Sequence, residues 1–219
     1  HKWSGWIRGL IGVWASLSLA IAVAAPVRPQ TPQPPFPYVE KELAFESPFE
    51  PDVHLAGTLV MPDGKGPFPA VLLLNGPGQQ DRDASLLGHK PFAVIADYLA
   101  RRGIASLRMD DRGVGRSRGA LAELTTAVSA GDAAAAFSML RGQAGIDPAR
   151  VGVYGWSFGG CLAGLLTMSK GDVFKSGIAG APVVDWRDYD TFYTERYLGV
   201  PDAQPKAYEV SSLLTYVKD

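Results

Sequence analysis

The chain has 219 residues, with 21 Lys plus Arg against 22 Asp plus Glu, 47% hydrophobic residues, three His and one Cys. A formal net charge of −1 leaves no basic excess to neutralise phosphates, which argues against nucleic acid as a partner. The single Cys161 excludes an intrachain disulfide framework, and the scattered His1, His54 and His89 lack metal-ligand spacing, so one ordinary globular domain without structural metal is expected.

At the start, Lys2 and Arg8 precede an uncharged apolar run from Gly9 to Ala25 that ends in Ala22-Val23-Ala24-Ala25. This is the pattern of a secretory signal peptide over residues 1–24, cleaved after Ala24. It predicts export to the periplasm or beyond, with no stable membrane span after cleavage. An uncleaved signal anchor is the alternative, because the apolar run is at the short edge of what crosses a bilayer. Residues 25–37 hold Pro26, Pro29, Pro32, Pro34, Pro35 and Pro37 and predict an extended, solvated linker. The fold is expected to begin near Tyr38 and to fill residues 38–219.

From there the pattern alternates between strand and helix. Val53 to Met61 alternates apolar and polar residues up to the Pro62-Asp63-Gly64 turn, and Ala70 to Leu74 is a continuous apolar run, as in a strand buried on both faces. Pro91 to Arg102 sets Phe92, Ile95, Ala96 and Leu99 on one helical face, with Gly103 as the stop. Ile104 to Met109 reads as a further buried strand, Leu124 to Leu140 as an Ala-rich helix, Val151 to Tyr154 as a strand, Phe158 to Met168 as a helix and Gly177 to Ala181 as a strand. Helices alternating with parallel strands predict an α/β fold, a largely parallel sheet covered by helices on both faces.

The strongest chemical signal falls at one strand-to-helix turn. Gly155-Trp156-Ser157-Phe158-Gly159 fits the G-x-S-x-G nucleophile elbow, in the context that motif requires. The turn is so tight that side chains at the flanking positions would meet the adjoining strand and helix, hence glycine. Ser157 is then the candidate nucleophile. The Phe158 N–H, at the positive end of the following helix, is a candidate oxyanion donor. A second donor is expected from the loop after the Ala70 strand, at Asn75 or Gly76 of Asn75-Gly76-Pro77-Gly78. Asp110-Asp111-Arg112-Gly113-Val114-Gly115 lacks the spacing of a phosphate loop. Arg112 is expected to pair with a neighbouring carboxylate, and Cys161 to be a buried small hydrophobe.

These residues carry a family resemblance. From about His54 to Gly119, Leu55-Ala56-Gly57-Thr58-Leu59, Gly66-Pro67-Phe68-Pro69-Ala70, Gly88-His89-Lys90-Pro91-Phe92 and Asp111-Arg112-Gly113-Val114-Gly115 resemble secreted bacterial carboxylesterases of the α/β-hydrolase superfamily. From about Asp147 on, Gly155-Trp156-Ser157-Phe158-Gly159-Gly160, Val173-Phe174-Lys175, Ala181-Pro182-Val183 and Tyr193-Thr194-Glu195-Arg196-Tyr197 resemble the catalytic domain of the prolyl oligopeptidase family, in its dipeptidyl peptidase IV branch. The resemblance implies an α/β-hydrolase fold and a serine peptidase. It also implies that Trp186, Tyr189 and Tyr193, with Val183 and Phe158 as apolar walls, receive the proline side of a peptide. That branch supplies a tyrosine hydroxyl to the oxyanion hole from the loop after the third strand, where this chain has Leu74 or Asn75.

In this superfamily the triad follows the order Ser, acid, His, and every histidine here precedes Ser157. The expectation is therefore a C-terminally truncated catalytic domain whose Asp and His lie beyond residue 219. His89, in a loop near the Asn75 loop, is a conceivable stand-in base, and His54 in an early strand is expected to be structural. The predicted activity is acyl transfer through Ser157 on a small ester or peptide substrate, with no cofactor and no metal. A proline-directed serine peptidase leads. A carboxylic ester hydrolase is the alternative, and a non-catalytic binding module follows only for a chain naturally this short.

Overall fold

The computed structural model describes residues 30–48, 50, 52–119 and 126–217. The signal peptide expected over residues 1–24, the first part of the linker and the start of the helix expected from Leu124 lie outside the described residues. Residues 30–37 of the linker contain only bends and turns, and the first strand starts at Tyr38.

Among the described residues one six-stranded sheet organises the fold. Its strands are β1 (Tyr38–Glu46), β2 (His54–Pro62), β3 (Phe68–Leu74), β4 (Ala105–Met109), β5 (Ile146–Trp156) and β6 (Gly177–Gly180), in the order β1-β2-β4-β3-β5-β6. β2 pairs antiparallel with β1 and β4, while β3, β4, β5 and β6 run parallel. β3 and β4 sit in the middle of this order; Ala70–Leu74 is buried as a continuous apolar strand should be, while β4 also buries Ser106 and Arg108 between its apolar residues.

Helices α1 (Pro91–Ala100), α2 (Thr126–Arg141) and α3 (Phe158–Ser169) connect the parallel strands, as crossover geometry requires. α1 covers one face, packing Ala96 and Ala100 on Tyr38 and Val60. α2 and α3 cover the other, where Phe137, Leu140, Leu162 and Leu166 close over Leu55, Leu59, Leu72, Leu107 and Val153. The expected α/β-hydrolase arrangement, with helices on both faces, is therefore present. After β6 follow a 3-10 turn at Trp186–Asp188, α4 (Thr191–Leu198), α5 (Pro205–Ser211) and a second 3-10 turn at Leu213–Tyr216. Among the described residues no helix is long and apolar enough to cross a membrane.

Two features differ from the expectation. β1 was not anticipated, because Glu40, Lys41 and Glu42 interrupt its apolar residues and leave only Tyr38, Leu43 and Phe45 buried. Charged edge strands of this kind resist pairing with other chains, and they lose the alternation that reveals a strand. β5 starts at Ile146 rather than Val151, with a register irregularity against β3 between Phe68 and Ala70.

Charged residues hold the loops at the carboxyl edge of the sheet. Arg112 is buried and makes four side-chain hydrogen bonds. Its Nε donates to Asp132 Oδ2 at 2.5 Å, Nη1 to Glu50 Oε1 at 2.5 Å, and Nη2 to Ser47 Oγ at 2.6 Å and Asp132 Oδ1 at 3.0 Å. It ties the β1–β2 connection to α2, and its pKa is raised by the Asp132 carboxylate despite burial. A second group joins Arg82 to Asp110, Glu42 and Thr58, and a third joins Arg108 to Glu40 and Asp83. Burial pushes the Asp110 carboxyl up, but Arg82 and the N–H groups of Arg116 and Arg82 outweigh it and leave the pKa below the ordinary value. A depressed carboxylate pKa adds stability above the unfolded pKa and loses it as pH falls through the folded value. The Arg82–Asp110 tie is thus expected to fail only in acid, and Asp110→Asn should shift the acid-unfolding midpoint upward in a circular-dichroism titration. An unchanged midpoint would contradict this.

Candidate active site

The elbow is built from backbone packed on backbone. β5 ends at Trp156 and α3 begins at Phe158, so Ser157 alone makes the turn, with φ 58° and ψ −119°. A non-glycine residue in this region costs on the order of 1–3 kcal/mol and persists only where its surroundings hold it. The Ser157 N–H donates to Gly180 O on β6 at 2.9 Å, and Cys161 N–H donates to Ser157 O at 3.0 Å. Cβ atoms on the neighbouring glycines would have no room. One at Gly155 would overlap the Gly159 carbonyl, one at Gly159 the carbonyls of Leu74 and Asn75, and one at Gly160 would lie 2.6 Å from Gly180 O. These glycines let the start of α3 rest directly on the ends of β5, β3 and β6.

The same packing brings the loop after β3 to Ser157. A methyl on Gly76 would lie 3.9 Å from Ser157 Cβ and 3.7 Å from Trp156 O. Ser157, Phe158 and Gly76 are therefore side by side, at the carboxyl ends of β3 and β5. Phe158 and the next two residues open α3, where amide N–H groups have no intrahelical acceptor. Asn75 is buried and its side chain faces away from an oxyanion role. Its Nδ2 donates to Asp81 O at 3.2 Å, Met109 O at 3.2 Å and Asp111 Oδ1 at 3.3 Å.

The aromatic residues past β6 gather in one cluster. Trp186 is buried and stacks on Tyr193 at 5.8 Å between ring centroids, 19° from parallel. Tyr189 meets both edge-on, at 5.9 Å and 5.8 Å. Phe158 lies 6.3 Å from Trp186, so the cluster reaches the first residue of α3. Val183 packs against its base with Cys161, Tyr208 and Leu213. Burial pushes the Cys161 thiol up to about 11, with a smaller opposing effect of a hydrogen bond to Trp186, which leaves it an inert, protonated packing residue. Asp190 caps α4 by accepting the Tyr193 N–H at 2.8 Å, and this orients the tyrosine.

A cavity of about 500 Å³ adjoins this cluster. Asn75, Gly76, Phe158, Trp186, Tyr193 and Asp111 are among the residues that line it. Ser157, Val183 and Tyr189 are not on its wall. His89 is not there either; it bridges to Leu86 in the loop before α1, while His54 opens β2 with its side chain exposed.

Two contributors escape sequence reading. Tyr208 is fully buried under the cluster, its hydroxyl donating to Gly199 O at 2.7 Å, in a segment that reads as polar and Pro-containing. Pro205 at the first position of α5 is the signal that could have marked this helix. Asp111 is the other: burial pushes its carboxyl up to about 6, the N–H groups of Gln80 and Asn75 opposing.

A prolyl oligopeptidase family model matches residues 91–219. Dipeptidyl peptidase 8 from Homo sapiens and from Mus musculus is 50% identical over 68 residues, 31% of this chain and 8% of the relative. The crystal structure of Porphyromonas gingivalis dipeptidyl peptidase 4 superposes with a TM-score of 0.63 at 28% identity, over 82% of this chain and 26% of that one. The chain spans less than a fifth of the length of the curated relatives it matches. With more than half its residues matched by the family model, the chain belongs to the prolyl oligopeptidase family.

Proposed function

We propose that the protein carrying this chain is a serine peptidase that cleaves peptides at proline through an acyl-enzyme on Ser157. The observation that carries the reading is the strained elbow, φ 58° at Ser157, set against the glycine loop at Gly76. Ser157 Oγ attacks the scissile carbonyl, and its proton passes to a histidine supplied from outside these 219 residues. The N–H groups of Phe158 and of Gly76 or Asn75 hold the oxyanion, and water then releases the acyl group. Every one of these steps is acid–base and nucleophilic chemistry by protein groups, so the proposed mechanism uses no cofactor. Trp186, Tyr189 and Tyr193, with Val183, receive the proline ring, a compact apolar group suited to an aromatic cluster. Names of the relatives support a peptide substrate. The charged start, apolar run and small-residue end of residues 1–24 support export.

A second reading, carboxylic ester hydrolase, is favoured by one observation. Leu74 is buried at the end of β3, where the peptidase branch places a hydroxyl donor, and the poorer oxyanion hole suits esters better than amides. Tyr193→Ala separates the two. A buried aromatic contact is worth about 1.5–3 kcal/mol, so kcat/KM for an Xaa-Pro arylamide should fall about ten- to more than a hundredfold. A short acyl ester, which does not fill the proline site, should lose far less. Equal losses on both substrates would remove the proline site from the account.

A further inference from the structure

We propose that the Asp111 carboxylate is a positioning residue that clamps the oxyanion loop over Ser157 and makes the site responsive to pH. The inference rests on the serine hydrolase reading of Ser157 and adds a regulatory group to it. Its basis is the set of ties between the turn after β4 and residues 75–80. Asp111 Oδ2 accepts the Gln80 N–H at 3.0 Å, and Oδ1 accepts Asn75 Nδ2 at 3.3 Å. The Asp111 N–H donates in return to Gln80 O at 3.1 Å. One carboxylate therefore holds the loop at both ends, and Gly76, the residue next to Ser157, lies between them.

The clamp requires the ionised form. Gln80 N–H and Asn75 Nδ2 are both donors, and they face different oxygens, so both oxygens must accept. Protonation turns one of them into a hydroxyl set against a donor, and the loop loses one tie. The surroundings place this change within an ordinary pH range. Asp111 is largely withdrawn from water, and the carboxylates of Asp110, its neighbour, and Asp132, on α2, add to its difficulty in ionising. Both are themselves occupied: Asp110 by Arg82 and Asp132 by Arg112. Asp81 takes part through its backbone oxygen, which accepts Asn75 Nδ2, and Tyr193 and Tyr197 of α4 share the cavity wall with Asp111. The carboxyl titrates at about 6, where an exposed aspartate is already ionised.

The sign of the linkage separates positioning from simple structural support. A folded-state pKa raised from 3.8 to about 6 gives stability that is fully present below the unfolded pKa and is lost as pH rises through 6. Above that pH the charge costs stability, while the loop needs it. Asp111→Asn keeps one acceptor and sets an NH2 group against the other donor. At pH 8 it should leave the melting temperature unchanged or higher, yet lower kcat for a short acyl ester about ten- to a hundredfold with KM unchanged, as expected when an oxyanion donor is displaced. Asp111→Glu, which restores two acceptors, should recover part of kcat.

The experiment measures ester kinetics and melting temperature in the intact protein, with amide hydrogen exchange at Gly76 and Gln80. Lower kcat at retained stability, with faster exchange at both amides in Asp111→Asn, is the expected result. Unchanged kcat in a labelled, active enzyme overturns the clamp and leaves the Ser157 reading intact. If the wild type neither turns over ester nor takes a fluorophosphonate at Ser157, that reading falls, and the exchange data alone judge the clamp. If the variant does not fold, wild-type exchange decides: protection at Gln80 should rise as pH passes upward through about 6, and pH-independent protection overturns the proposal.

Discussion

Replacing Ser157 with alanine is expected to lower kcat for esters and peptides by on the order of a million-fold, the loss seen when a triad serine is removed from a hydrolase. The expectation follows from the elbow's shape. Backbone on three sides, at Gly155, Gly159 and Gly180, leaves Ser157 Oγ the only hydroxyl that the turn itself presents beside Gly76. Cys161, one helical turn on, cannot substitute for it, because its buried thiol stays protonated well above neutral pH. A residual rate over water should survive in Ser157→Ala, since the Phe158 and Gly76 amides remain. The measurement is a steady-state rate for an acyl ester beside labelling by a fluorophosphonate. Labelling that persists in Ser157→Ala would place the nucleophile elsewhere.

Arg112→Ala should cost about 3–5 kcal/mol in urea unfolding, because it leaves Asp132 a buried charge without its cation, held by the Ser47 hydroxyl at 2.8 Å, and cuts the tie to Glu50. Four hydrogen bonds to Asp132, Glu50 and Ser47 depend on this one guanidinium. Lysine cannot replace it, since a single ammonium does not reproduce the planar fork. The paired change Arg112→Met with Asp132→Leu is expected to recover most of the loss, as apolar residues of similar volume often match a buried ion pair. A loss below about 1 kcal/mol for Arg112→Ala would mark the pair as no stronger than a surface ion pair. Arg112 and Asp132 both line the cavity beside the Asn75–Gly78 loop, so a loosened α2 should also lower turnover.

How much of this was legible depended on how local each signal is. The elbow was readable because tight backbone packing leaves glycine no substitute, and that constraint is written in five consecutive residues. β3 was readable because a strand buried on both faces becomes a continuous apolar run, and β4 because Ile104, Ala105, Leu107 and Met109 stay apolar around Ser106 and Arg108. β1 was not, since an edge strand bearing Glu40, Lys41 and Glu42 satisfies its backbone on one side and its charges in solvent or on Arg108 and Arg82. Arg112's pairing was anticipated, but its partners Asp132 and Glu50 come from distant segments that only the fold unites. Asp111 was unreadable for the same reason: its importance lies in what it accepts from residues 75–80, a relation between two loops. Tyr208 was hidden by the polar character of its flanks, although it fills the base of the aromatic cluster.

The most direct test of the account is the comparison of an Xaa-Pro arylamide with a p-nitrophenyl acyl ester on the intact protein at equal enzyme concentration. Amide cleavage is the harder reaction, needing a protonated leaving nitrogen and a well-held oxyanion, and Leu74 supplies no hydroxyl to that hole. The account predicts brisk ester hydrolysis and slower, measurable cleavage of the Xaa-Pro amide, both abolished in Ser157→Ala. Ester turnover with no detectable Xaa-Pro amide cleavage would contradict the peptidase reading and make the protein a carboxylic ester hydrolase.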